Sequence, residues 1–294
     1  RSRPGPAPAS AHGTPRRQTA WMVKVFVHGN PETDAVWEPL IAALAERGVA
    51  DIRLLSPPGF GAPVPAGFGC TRTDYRDWLI GELEALGQPV DLVGHDWGAG
   101  HVFGVAAARP DLLRSWAADC AGLLHPDYVW HAGAQTWQTP GAGEEFAAAM
   151  VGLAPEALTE WGVAEALAPA LAAGIDEAMV AAMLTLYRSA AQPALRQVGE
   201  ALLAAERRPA LVIEATGDPY VGADLSAQMV PLLDADVVHL DAGHWWMWEQ
   251  TDQAADALVS FWSSRWCRKS RQPRQPAASP TFSTPSSTTG RATR

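Results

Sequence analysis

Residues 90–100 read V-D-L-V-G-H-D-W-G-A-G. An apolar run ends in Gly94, and Asp96 lies midway between Gly94 and Gly98. A strand that turns directly into a helix strains its central residue, and bulk at the flanking positions clashes, so small residues are required there. The stretch therefore prescribes a path of buried strand, tight turn and helix, with one carboxylate lifted above the strand end. The competing reading is an ordinary loop Asp capping the helix that starts near Trp97. The rest of the chain has to decide between them.

The same rhythm recurs along the sequence. Short apolar runs at 23–27, 52–55, 90–93, 114–119, 211–215 and 237–240 read as strands. Between them, 35–47, 74–86, 97–108, 224–233 and 254–262 carry apolar residues at helical spacing. Residues 56–70 form a Pro/Gly loop. Strands alternating with helices predict an α/β fold with a mostly parallel sheet covered on both faces. Residues 123–205 break the rhythm: they are Ala-rich, helical in pattern and without a strand candidate. They read as a helical cap inserted into a core formed by 22–122 and 206–266. Such a cap excludes water and shapes an apolar pocket.

Composition limits what the chain can do. With 294 residues, 48% hydrophobic and 13 Trp, it can bury a sizeable core. No apolar stretch approaches a membrane span, and 1–20 lack the apolar region of a secretory signal. Cys70, Cys120 and Cys267 show no metal or redox spacing, which predicts reduced thiols, a cytoplasmic location, no metal and no cofactor. The net charge of −10 hides an asymmetry. Four Arg in 1–20 and six Lys or Arg in 267–294 leave the middle with 12 basic against 32 acidic residues. An acidic body disfavours nucleic acid and anionic membrane as partners. The segments 1–21 and 267–294, rich in Pro, Ser, Thr, Ala and Arg, read as disordered tails, with Met22 as a natural start.

If Asp96 is a nucleophile in the G-x-Nu-x-G turn, it needs a base, an acid to orient the base, and donors for developing charge. Each has a candidate at a strand end. His244, in D-A-G-H-W-W after the last strand, is the base. Asp218, in T-G-D-P after 211–215, is the orienting acid, with Asp119 at an earlier strand end as its rival. In V-F-V-H-G-N-P, residues 25–31, the backbone N–H of Asn30 joins that of Trp97 as an oxyanion hole. The side chains of Asn30 and Trp97 add two more donors, while His28 reads as structural. Trp130, His131, Trp137, Trp245, Trp246 and Trp248 read mostly as packing between cap and sheet, with at least one left for the pocket wall.

H-G-N-P (28–31), G-H-D-W-G (94–98), G-D-P (217–219) and G-H-W (243–245) stand in the order and spacing of the α/β-hydrolase superfamily. Over about residues 22–266 the chain resembles its haloalkane dehalogenase and epoxide hydrolase branch. The resemblance implies attack by Asp96 on an sp³ carbon, giving an alkyl ester. His244, paired with Asp218, then activates water to hydrolyse that ester. The implied partners are water and a small apolar organic substrate, and a homo-oligomer is left open.

The leaving group separates the two activities. A halide leaves without a proton, and Asn30 with Trp97 looks like the halide-stabilising pair of dehalogenases, which places carbon–halogen cleavage first. An epoxide leaves as an alkoxide and needs acids, usually two cap tyrosines. Tyr187 and Tyr128 are the candidates, although Tyr128 lies about one helical turn before the expected position, where Gly133 stands. A third reading is a non-catalytic binding protein on the same fold. The family normally begins with two strands before the H-G strand, and residues 1–20 show no strand pattern. One sheet edge is therefore expected to be short.

Overall fold

A computed structural model of the chain describes residues 22–264. The readings of 1–21 and of 267–294 lie outside the described residues. The elements run β1 (Lys24–Val27), α1 (Glu38–Glu46), β2 (Ile52–Leu55), α2 (Arg72–Ala85), β3 (Val90–Gly94), α3 (Trp97–Ala108) and β4 (Leu113–Ala118). Six helices follow: α4 (Ala132–Gln138), α5 (Ala142–Met150), α6 (Pro155–Glu160), α7 (Ala168–Gly174), α8 (Glu177–Ser189) and α9 (Ala194–Ala204). The chain then resumes with β5 (Ala210–Ala215), α10 (Ala223–Leu233), β6 (Asp236–Leu240), α11 (Trp246–Glu249) and α12 (Thr251–Ser264).

All neighbouring strands are parallel, in the order β2-β1-β3-β4-β5-β6. The chain leaves β1 outward to β2, then returns to β3 on β1's other side. Helices thereby cover opposite faces, and the strand order reverses between β1 and β3. In such sheets the crevice beyond the strand C-termini at the reversal is where ligands bind. His28–Asn30 leave β1 at this point and Asp96 leaves β3. Strands β3 and β5 are buried throughout, as a sheet covered on both faces requires. The one ionised residue inside β3, Asp91, is compensated by Arg114, by Lys24 at 3.7 Å and by the Ser115 hydroxyl at 2.6 Å.

Local sequence explains the element ends. Thr71 and Asp74 form a reciprocal capping box, so α2 starts at Arg72, two residues earlier than the apolar pattern predicts. β4 lies one residue earlier than predicted, and α11 is a single turn that periodicity is too short to detect. Among the described residues no strand precedes β1, and β2 is the edge strand, with Arg53 and Leu54 exposed.

Between β4 and β5 the chain is helical, as expected, but its parts do different things. Helices α4, α5 and α8, with Trp161 just after α6, contribute residues to the cavity beyond the strand C-termini. Helix α9, inside the predicted cap, instead packs on α3 and on residues 121–124. It is the crossover helix that carries the chain back to the start of β5. Gly199 fits there because a side chain would sit 2.3 Å from the Leu124 carbonyl oxygen. One contiguous apolar cluster runs from Val25 and Leu92 in the sheet to Met150, Leu158 and Met183 in the insertion. Each large side chain fully buried in it contributes roughly 1.5–3 kcal/mol before entropy is counted. No single helix among the described residues is long and apolar enough to cross a membrane, although α7 and α8, bent by 87°, pass that test together on length and composition.

Candidate active site

The turn after β3 has the predicted geometry. Asp96 stands at φ 52°, ψ −120°, immediately before α3. A side chain at Gly94 would meet the Gly98 carbonyl oxygen at 2.6 Å, and one at Gly98 would meet the Val27 carbonyl oxygen at 2.0 Å. Both glycines are therefore demanded by backbone approach. At Gly29 an added Cβ would lie 2.1 Å from Asp96 Oδ1, so the H-G turn is cut to fit the carboxylate.

Two of the residues named from sequence contact Asp96, and a third stands behind one of them. The Asn30 backbone N–H donates to Asp96 Oδ1 at 3.0 Å. His244 Nε2 lies 3.6 Å from Asp96 Oδ2. The opposite ring nitrogen, Nδ1, bonds Asp218 Oδ2 at 2.9 Å, and Asp218 Oδ1 is fixed by the N–H groups of Tyr220 and Val221. Burial pushes the Asp96 carboxyl up to about 6, against the pull of His244. Burial would lower the pKa of His244, but the Asp218 carboxylate outweighs it and the net shift is upward.

Asp119, the rival acid, belongs to a different set of bonds. Its Oδ1 accepts the Asp96 N–H at 2.9 Å, and its Oδ2 accepts from His95 and from the Trp246 indole at 2.7 Å. On the far side of His95, Nε2 bonds Glu32 Oε1 at 3.1 Å. Glu32 also accepts the Trp245 indole at 2.7 Å and the Gly29 N–H at 2.9 Å. Burial alone would neutralise His95, yet the two flanking carboxylates raise its pKa well above the ordinary value. Its two ring nitrogens face two buried acids directly beneath the turn, an arrangement that favours the charged imidazolium. Sequence reasoning missed Glu32 and His95. Their only signal was adjacency, Glu32 following H-G-N-P and His95 preceding Asp96. His28 is buried with Nδ1 on the Gly29 carbonyl, as a structural reading expects.

Over Asp96 lies a cavity of about 200 Å³. Asn30, Asp96 and His244 form its floor, and Tyr187 of α8, His131 and Trp137 stand among its cap-side walls. Tyr220 also lines it, with its hydroxyl on the Trp161 carbonyl at 3.1 Å. Burial holds His131 down to about 4, so it is neutral. Burial, with Asp96 nearby, holds the Tyr187 phenol well above its ordinary pKa, so it keeps its proton. Among the described residues nothing accepts that proton.

The remaining candidates are placed differently. The Trp97 ring meets Tyr187 edge-on at 5.2 Å, and its indole N–H acts on the Tyr187 hydroxyl. Its six-membered ring faces Gly100 and lines a second cavity behind α3. Tyr128 does not line the cavity over Asp96. It packs against Trp130 with its hydroxyl buried and unpaired.

The alpha/beta hydrolase family matches residues 25–257 of this sequence. The chain belongs to that family. An epoxide hydrolase from Caballeronia sordidicola is 36% identical over 104 residues, covering 33% of this chain and 30% of the relative. A haloalkane dehalogenase from Bradyrhizobium diazoefficiens is 31% identical over 99 residues, covering 32% and 30%. The chain thus matches under a third of the length of either curated relative. The crystal structure of DBJA superposes with a TM-score of 0.67 at 20% identity, over 85% of this chain and 92% of that one, which speaks for the fold alone. Within that family the chain is similar to both epoxide hydrolases and haloalkane dehalogenases.

Proposed function

We propose that this hydrolase opens small apolar epoxides through an alkyl ester on Asp96. One observation carries the choice of leaving group: Asp96, His244 and the protonated Tyr187 share one cavity, and the Tyr187 proton has no acceptor among the described residues. Asp96 Oδ1 is held by the Asn30 N–H, so Oδ2 is the oxygen left to bond carbon. Attack of Oδ2 on a ring carbon breaks the C–O bond, and Tyr187 passes its proton to the departing oxygen. Trp97, edge-on to the Tyr187 ring, eases that transfer by pulling the phenol pKa down. The phenolate regains a proton from water.

In the second step His244 Nε2 takes a proton from water, and the resulting hydroxide adds to the ester carbonyl. The negative charge collects on Oδ1, facing the Asn30 N–H with the Trp97 backbone N–H as second donor. Collapse expels the diol oxygen, which recovers the proton from His244, and the Asp96 acid left behind gives its proton to the hydroxide that formed when water reprotonated the phenolate. Asp218 keeps the ring in the tautomer this requires.

A second reading, carbon–halogen cleavage, is favoured by Asn30, whose buried side-chain amide has no partner and borders the same cavity. It ranks behind because Trp97, the other donor expected for a halide, lines the second cavity and not the one over Asp96. Intact mass of His244→Phe after styrene oxide, and separately after 1,2-dibromoethane, separates the two. We expect a covalent adduct from the epoxide that disappears in Asp96→Ala/His244→Phe and in Tyr187→Phe/His244→Phe. An adduct from the dibromide alone reverses the order of the readings.

A further inference from the structure

The cavity behind Trp97 is the larger of the two, about 260 Å³ against about 200 Å³. It lies between α2, α3 and α9, outside the catalytic chamber. Its walls are largely apolar, from Phe103, Leu123, Leu124, Leu195 and Val198. Two features do not suit an inert packing void. The first is a pair of guanidinium groups, Arg72 and Arg76, which line it from one face of α2. They are four residues apart, so like charges stand together on the helix. Arg76 pairs with Asp77 at the rim, whereas Arg72 has no carboxylate partner among the described residues. The second is His101, which is 2% exposed, lines the cavity and makes no hydrogen bond among the described residues. Its ring stacks on Tyr75 at 5.1 Å.

A buried imidazole without a partner costs stability unless something pairs with it, and Arg72, half-buried beside Arg76, has lost part of its hydration without gaining a counter-ion. Both face the same apolar space. A guanidinium matches the planar, two-oxygen geometry of a carboxylate. We infer that this cavity is a second ligand site, taking a short-chain apolar carboxylate with its head on Arg72 and Arg76 and its tail along α3 and α9. The volume, below the roughly 300 Å³ of ordinary small-molecule sites, limits the tail to a short chain. Trp97 forms a wall of this site and also touches Tyr187, so the occupant lies one side chain away from the catalytic chamber.

The test is calorimetric titration of the full chain with octanoate, with octanol as the uncharged probe. Octanoate binding is expected, at least 10-fold weaker in Arg72→Gln/Arg76→Gln, and abolished in Val198→Trp, which fills the cavity without touching a charge. Octanol is expected to bind at least 10-fold more weakly than octanoate. Melting curves of both variants check that they fold. The chamber over Asp96 is then plugged, using the covalent adduct of His244→Phe or, if none forms, Gly133→Trp. Octanoate binding that survives the plug belongs to the second site. Absence of binding to the unmodified chain, affinity unchanged in the double Arg variant, or loss of binding on plugging the chamber each overturns the inference.

Discussion

At the residue scale, the two acids near His244 divide by their bonds, Asp218 to the His244 ring and Asp119 to the turn at Asp96. Asp218 touches only His244 and its own loop, so Asp218→Asn should leave the fold intact. It should slow ester hydrolysis by about 10³–10⁴-fold, so that the adduct accumulates during turnover. Asp119→Ala removes the acceptor for three donors and strands the His95 charge, so a loss of about 3–5 kcal/mol in denaturant unfolding is expected. Equal effects of the two substitutions on stability would contradict this division. Asp96 carries a cost of its own. Its folded carboxyl pKa is raised from 3.8 to about 6. Between these values the native state holds a proton that the unfolded chain has lost, so this contribution to stability falls as pH rises through the window. Asp96→Asn should therefore stabilise the protein by up to about 3 kcal/mol near pH 8, with the gain vanishing below about pH 4. Ester formation should correspondingly decline as pH drops through about 6, in single-turnover rates.

At the scale of elements, the glycines around the turn offer a contrast. A Cβ at Gly98 meets backbone of β1, which cannot move without parting β1 from β3. Gly98→Ala should cost at least about 3 kcal/mol or prevent folding. The atoms nearest a Cβ at Gly29 all belong to the Asp96 side chain, which can rotate away. Gly29→Ala should fold, as circular dichroism would show, yet form no ester. The strand–turn–helix around Asp96 and the motifs carrying Asn30, Asp218 and His244 were legible in sequence because steric demand and strand-end position mark them locally. Glu32 and His95 were not, since a buried ion pair formed across 63 residues leaves no local pattern. The direction of the Trp97 indole and the distance of Tyr128 from the cavity were also hidden, because cap packing decides them. Helix α9 was assigned to the cap because its apolar face has the same period whichever surface it covers.

For the whole molecule, the apolar cluster crosses from the sheet into the insertion without a break. Cap and core should consequently lose structure together. Guanidinium titrations followed by far-ultraviolet circular dichroism and by tryptophan fluorescence should give superimposable single transitions. A separate early fluorescence transition would mean that the insertion melts alone. The close approach of Gly199 to the Leu124 carbonyl has a wider consequence. The chain sets out from the sheet at 121–124 and comes home along α9 beside the same residues, so the excursion starts and finishes at one hinge-post. What is threaded between those two points adds no strand to the sheet, although its apolar side chains share the core beneath it. Swapping that loop of helices would therefore replace the cap-side wall of the cavity, Tyr187 included, while Asp96, Asp218 and His244 stay in the core.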